Sequence, residues 1–493
     1  MTTGRSLLLA LAAFVLIATA NSGGYRYGVS DQAFYVPAVA LAQAPSLFPR
    51  DRALFEPQMR RWAGDELLAG LSRLTFGNLP VLFGALYVLT LVTLALGGIA
   101  LARSLGYSWW AIATFLILLT LRHRIARTGA NSLEGYFHPR VLSFAVGLFA
   151  LAAVVRLRLL TATLWTAAAA LVHTTTAVWF GGVVAVAALW PWRRSTRLWM
   201  GVLALVVAAI WITARVAPDV FQMMDVTWLH VLKDKDYLFA SAWPAYAWVT
   251  NLAYPIVILV LYGLRARRGS TAPGEAPLVA GLMGLVGVFL LSVPLTDVYL
   301  AIAVQMQVNR VFWVLDAVTA LYIAWWISDG VPALRRPAVR HAVVAALLLL
   351  AIGRGFYIIR VETDRSLAAF TLPANGWTDA MRWIERQPAS TSWHVLADAN
   401  HGWRYGSTVR VAARRDTLIE VSKDSALALY DRRLAPRVLD RLAAVGPWEE
   451  LTLPDVRALD GRFGLDVMVD EADRAWPLPV LYRNAQFVVY DLR

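Results

Sequence analysis

Apolar residues in this chain gather into long runs rather than alternating with polar ones. They fall at 6–21, 79–102, 107–121, 141–155, 159–175, 176–192, 197–216, 244–264, 277–296, 311–328 and 341–359. A helix needs about 20 such residues to cross a hydrocarbon core of about 30 Å. The stretch from Leu159 to Trp192 is too long for one helix, and His173 followed by three threonines interrupts it, so it splits into two short helices at that break. The pattern predicts an α-helical polytopic membrane protein with about eleven transmembrane helices.

Beyond residue 360 the pattern changes. Short β-like runs, "WHVLAD", "STVRVAA", "DTLIEV", "LDVMVD" and "QFVVYDL", alternate with helical stretches such as "GWTDAMRWIERQ" and "SALALYDRRLAPRVLDRLAAV". Alternation on this scale reads as one small α/β domain. We therefore expect two domains, 1–360 in the membrane with its loops and 361–493 outside it. No Gly-rich nucleotide fingerprint, Walker motif or His-Glu-x-x-His metal motif appears.

Composition narrows the class. The chain is 58% hydrophobic and only 16% charged, too little charge to clothe a soluble surface. It has no cysteine, so no disulfide is available in any compartment. The net charge of +13 does not point to nucleic acid, because the arginines sit in short loops between apolar runs rather than on a soluble basic face. That placement is a topology signal. With the N-terminus cytoplasmic, the inside loops hold Arg103, Arg156 and Arg158, then Arg193, Arg194 and Arg197, then Arg265, Arg267 and Arg268, and lastly Arg335, Arg336 and Arg340. The long mixed-charge loops 22–78, 122–140 and 217–243, the short loop 297–310 and the tail then lie outside. The stretch "RHRIAR", Arg122 to Arg127, is basic yet outside, and we expect it to draw anionic lipid headgroups. The first run also reads as a cleavable signal peptide ending at Ala18-Thr19-Ala20. Either way, Asp31 emerges outside.

The polar residues worth testing lie in those outside loops. The first loop carries Asp31 and Gln32 on a Gly/Ser turn, then a helix and the stretch "FPRDRALFEPQMRRWAGDELL". The second carries Glu134, His138 and Arg140 in "GANSLEGYFHPR". The third carries His230, Lys233, Asp234, Lys235 and Asp236 in "LHVLKDKDYLFASAW". His173 at the helix break and Arg310, opening the tenth run, complete the set. Each has a plain structural reading. Asp31 is placed to cap the helix that follows. Glu134, His138 and Arg140 suit a headgroup anchor, "KDKD" a solvated charge run, and Arg310 a snorkelling cation. A histidine in apolar surroundings is costly unless it is paired or used.

A first helix, a large exterior loop opening with an acid, many further helices and a terminal exterior α/β domain together resemble the GT-C superfamily of integral-membrane glycosyltransferases. The closer likeness is to bacterial members with "SDQAFYVPA", "EGYFHPR", "AMRWIE", "VSKD" and "YRNAQFVVYDL". The resemblance implies a GT-C-like fold in a bacterial plasma membrane. It also implies a polyprenyl-phosphate-linked sugar donor, membrane lipids as surroundings, and a glycan, lipid or protein acceptor. In that superfamily the first-loop acid is the catalytic base or a metal contact, which carries to Asp31. A second acid from a later loop maps to Asp234 or Asp236, with Glu134 as competitor. Many members have two adjacent acids in the first loop. Here the pair is Asp31-Gln32, so the ligands of a divalent cation, Mg or Mn, stay unassigned. The Trp-Trp-Asp-Tyr-Gly motif of oligosaccharyltransferases is missing.

The residue types suit an inverting transfer. A base deprotonates the acceptor hydroxyl as it attacks the anomeric carbon. The lipid phosphate leaves, and needs charge stabilisation more than an acid. Arginine suits it through its planar fork. Gln32, His138, Arg140, His173, Lys233 and Arg310 are the substrate-binding candidates. Two other readings stand beside this one. One is a non-enzymatic carrier, flippase or assembly subunit for lipid-linked glycans. The other is a ligase moving a finished glycan to another lipid.

Overall fold

In the computed structural model, which describes residues 2–59, 64–387 and 392–493, the apolar runs are helices. Eight are long and apolar enough to cross a membrane: Gly4–Asn21, Leu79–Ser104, Thr174–Trp192, Thr196–Val216, Ala245–Arg267, Glu275–Asp297, Ala301–Gly330 and Pro337–Glu362. Three shorter apolar helices, Trp109–Thr120, Pro139–Val155 and Leu159–Val172, occupy the remaining predicted runs. The molecule is thus a helical protein of membrane-embedded type with a small C-terminal sheet. Part of the first-loop stretch, residues 60–63, lies outside the described residues.

The chain divides into two compact units. The first comprises Met1–Gly24, Leu86–Met224 and Lys235–Leu367. Its central element is helix Val311–Trp325, nearly every residue of which is buried by protein. Helix Thr196–Val216, similarly apolar, buries none of its residues. Apolar composition alone does not separate a helix facing protein from one facing lipid. Phe144 stacks on Trp313 with ring centroids 4.2 Å apart, joining helix Pro139–Val155 to the central helix. At the far end of that helix the buried Arg265 donates to both oxygens of Glu275, at 2.7 and 3.1 Å. The Tyr322 hydroxyl also donates to Glu275. A buried charge is tolerated when paired and fully hydrogen-bonded in this way.

The second unit comprises Tyr25–Ala85, Asp225–Asp234 and Ala368–Arg493. Its sheet has five strands: β1 (His394–Leu396), β2 (Asp416–Thr417), β3 (Val467–Glu471), β4 (Val480–Arg483) and β5 (Phe487–Asp491), in the order β2-β1-β3-β5-β4. β1 runs parallel to β2 and β3, while β5 is antiparallel to β3 and β4. Helix Gly376–Arg386 lays Trp377, Met381 and Ile384 on this sheet. Two strand expectations are corrected. "STVRVAA" forms a helical turn, Val409–Ala412, because the Thr408 hydroxyl accepts the Val411 N–H and caps it. "DTLIEV" is strand only at its first two residues, after which Glu420 caps helix Val421–Ala428.

The first loop packs within this same unit. Tyr25–Arg26 pairs in parallel with Ala368–Ala369. Asp51, fully buried, accepts from Arg410 at 2.8 Å and Arg437 at 2.5 Å, and Arg410 donates twice to Asp424, at 2.6 and 3.0 Å. Burial pushes the Asp51 carboxyl up, but Arg410 and Arg437 outweigh it and hold the group ionised well below its usual range. Asp416, whose carboxylate accepts the Arg50 and Asp51 N–H groups, is driven upward by burial and by Asp51.

Candidate functional sites

The turn that carries Asp31 is built by its neighbours. Gly28 has a φ of +77°, and a Cβ there would meet Leu372 at 2.5 Å, so only glycine fits. Ser30 is also left-handed, with φ 52°. The buried Gln32 closes the turn, its Oε1 accepting the Gly28 N–H at 2.7 Å. Gln32 is therefore a structural member of the turn. Asp31 stands at the N-terminus of helix Gln32–Gln43, yet its side chain makes no capping bond. The capping expectation is corrected: Asp31 Oδ1 instead accepts from Lys423 Nζ at 2.8 Å. Lys423 lies in "VSKD", and its own backbone N–H donates to Glu420. Burial, with the charge of Asp424 adding to it, pushes the Glu420 carboxyl up to about 7.

A second cluster lies in the first unit. Glu134 accepts from Arg140 Nη2 at 2.7 Å, with both side chains buried, and Arg122 reaches its other oxygen at 3.7 Å. His138 precedes Pro139, the first residue of helix Pro139–Val155, and its Nδ1 accepts the Arg140 N–H. Proline suits that first position because the helix needs no N–H there. His173 repeats the device: its Nδ1 accepts from the Thr176 N–H and lies 2.9 Å from the Thr176 hydroxyl. Each imidazole thus uses Nδ1 as acceptor, which leaves the ring proton on Nε2 as a donor. The two rings lie 6.3 Å apart. His173 also feels the charges of Arg310 and Arg140. The second loop and the helix break therefore meet, and Arg310, at the start of the tenth run, acts on His173 through its charge.

The third loop is divided. Trp228 Nε1 donates to Ala428 O at 2.7 Å, seating helix Val226–Val231 in the second unit, where Lys233 and Asp234 are exposed. Lys235 and the exposed Asp236 belong to the first unit, and Asp236 pairs with Arg127. The basic stretch Arg122 to Arg127 thus meets protein carboxylates. Arg122 faces Glu134, His123 faces Asp316 and Arg127 faces Asp236.

Asp316 escaped the sequence reading. It lies inside helix Val311–Trp325, buried, 2.9 Å from His123 Nδ1. The signal was present: a lone carboxylate in an apolar span marks function or pairing. Lys423 as partner of Asp31 had no such signal, being 392 residues away. Among the described residues no group of three or more His, Asp or Glu side chains is placed to hold a metal ion, so no ligand set is assigned. No protein-family model matches the sequence, and no curated protein matches it.

Proposed function

We propose that this protein is a membrane glycosyltransferase of GT-C type. It moves a sugar, with inversion, from a polyprenyl-phosphate lipid to an acceptor outside a bacterial plasma membrane. The supporting observation is the meeting of Arg140, His138 and His173, with the charge of Arg310 reaching His173. Cations and N–H donors gathered at one end of apolar helices suit the phosphate of a lipid-linked donor. In this reading Arg310 is the clamp on the phosphate and Asp31 is the base. Asp31 takes the proton of the acceptor hydroxyl as its oxygen bonds to the anomeric carbon, while the bond from that carbon to the phosphate oxygen breaks and the lipid phosphate leaves. All eleven apolar helices span the membrane, the three shorter ones included, with the N-terminus cytoplasmic and the terminal domain outside.

A carrier of lipid-linked glycans is the second reading, and Asp316 is what favours it, since carriers place ionisable groups within the membrane. An assay in proteoliposomes separates the two. Transfer of radiolabelled sugar from a polyprenyl-phosphate donor to an extracted acceptor, lost by about 10²–10⁴-fold in Asp31→Asn, supports the transferase. Donor crossing the bilayer with no sugar transferred supports the carrier. Arg310→Lys keeps the charge but loses the fork, so it weakens donor use, and Arg310→Ala weakens it more.

A further inference from the structure

Helix Gly64–Ser72 and the turn Arg73–Thr75 that follows it carry three stripes. Asp65, Leu68 and Ser72 are buried, and Gln43 of helix Gln32–Gln43 donates to the Ser72 hydroxyl at 2.6 Å. Glu66 and Arg73 form a charged edge, both exposed. Leu67 and Leu74 form the third stripe, exposed by 56% and 77%, with Leu71 between them half-buried. Phe76, fully exposed, extends it. Phe76 also holds a left-handed backbone, φ 51°, fixed by its N–H to Arg73 O and by the Gly77 N–H to Ser72 O. A bulky residue in that region carries steric strain. Strain and full exposure together are unfavourable for a phenylalanine in water.

The chain itself says what covers this stripe. Leu79, three residues beyond Phe76, opens the 26-residue helix Leu79–Ser104, which is long and apolar enough to cross a membrane. Three residues span at most about 10 Å. Phe76 therefore cannot leave the level at which that helix enters the bilayer. Leucine and phenylalanine on one side, with an arginine at the edge, match the boundary between headgroups and acyl chains. We infer that residues 64–76 form an interfacial helix whose Leu67, Leu74 and Phe76 insert into the lipid headgroup boundary. The helix packs on Gln32–Gln43 within the same unit. This inference stands on membrane embedding alone and not on sugar transfer.

The absence of cysteine from the whole sequence makes the test clean. Single-cysteine variants Leu67→Cys, Leu74→Cys and Phe76→Cys of the full chain are spin-labelled in phospholipid nanodiscs. Collision with oxygen, which concentrates in the bilayer, is compared with collision with a water-soluble nickel chelate. Glu66→Cys and the strongly exposed Trp403→Cys are the aqueous references. The inference expects the three test labels to favour oxygen several-fold over the references. Nickel access equal to that of the Glu66→Cys label overturns it. So does a label immobilised and shielded from both reagents, which reports a protein partner on the stripe. Neither result depends on catalytic activity, so the inference and the transferase reading fail independently.

Discussion

The two units treat buried charge differently. In the second, Asp51, Asp424 and Arg410 sit almost wholly out of water, with Arg437 and Arg441 closing over them. Carboxylates and guanidiniums answer one another, and the set is sealed. In the first, Glu134 and Arg140 form one tight buried pair, with Arg122 and two imidazoles beside it and the charge of Arg310 reaching His173. The difference fits the proposed function. A sealed network fixes which segments belong together, because removing one member leaves a buried charge without its partner. A cluster rich in positive and N–H donor groups at the end of apolar helices is suited to receiving an anion.

Breaking the sealed network has the largest expected effect. Asp51→Ala strands Arg437 and leaves Arg410 to Asp424 alone, and should cost about 3–5 kcal/mol, read as a lowered denaturation midpoint of the purified chain. The loop 25–85 should become protease-sensitive at the same time. An unchanged midpoint would remove the distinction between the two regions.

The open cluster should respond in binding as well as in stability, since Arg140→Ala also removes the close partner of the buried Glu134. Arg140→Ala leaves Glu134 with a weaker cationic surround. Binding of a polyprenyl-phosphate lipid, followed by fluorescence quenching, should weaken by one to two orders of magnitude, since a charge-assisted hydrogen bond contributes about 1.5–3 kcal/mol. Retained binding with lost stability would place this cluster in the same class as Asp51.

A pH series sharpens the comparison further. Burial lowers the pKa of His123, but its hydrogen bond to Asp316 and the charge there outweigh this and raise it above 6.5. A raised histidine contributes stability that is complete below its unfolded pKa and is lost as pH rises through the folded one. Melting temperature should therefore fall across and above neutral pH, and Asp316→Asn should flatten that limb. A slope identical in both proteins would exclude the pair as its source.

Asp65 offers a second linkage. It is buried, neither oxygen has a hydrogen-bond partner among the described residues, and burial raises it to about 8. The folded chain then takes up a proton that the unfolded chain has released, so stability declines between about pH 4 and 8. Asp65→Asn should remove that decline and leave the variant the more stable at pH 8. The smallest effect belongs to Lys423→Met. Its pair with Asp31 is partly solvated, and its loss should shift stability by at most about 1 kcal/mol. If Asp31 is the base, the same change alters the pH profile of transfer.

Run length along the chain determines the membrane-type helices, because a bilayer admits only long apolar helices or closed barrels, and the runs fall where the helices do. The break at His173 is legible in the same way, since a histidine and threonines compete for the backbone and cap rather than continue a helix. The tail announces itself by its change of period. What the sequence withholds are the pairings made across distance. Composition gives no sign that residues 25–85 join the tail, because the Asp51 network depends on arginines more than 350 residues later. Nor does it show that "STVRVAA" turns helical, a choice made by the Thr408 cap against β-branched propensity. The meeting of His138 and His173, with the charge of Arg310 reaching His173, and the exchange of a cap for a lysine at Asp31, are likewise products of packing. Local pattern sets which segments are apolar and where they end. Only the folded chain decides which charges meet, because burial makes a charge choose a partner, and that partner is found in space rather than in sequence.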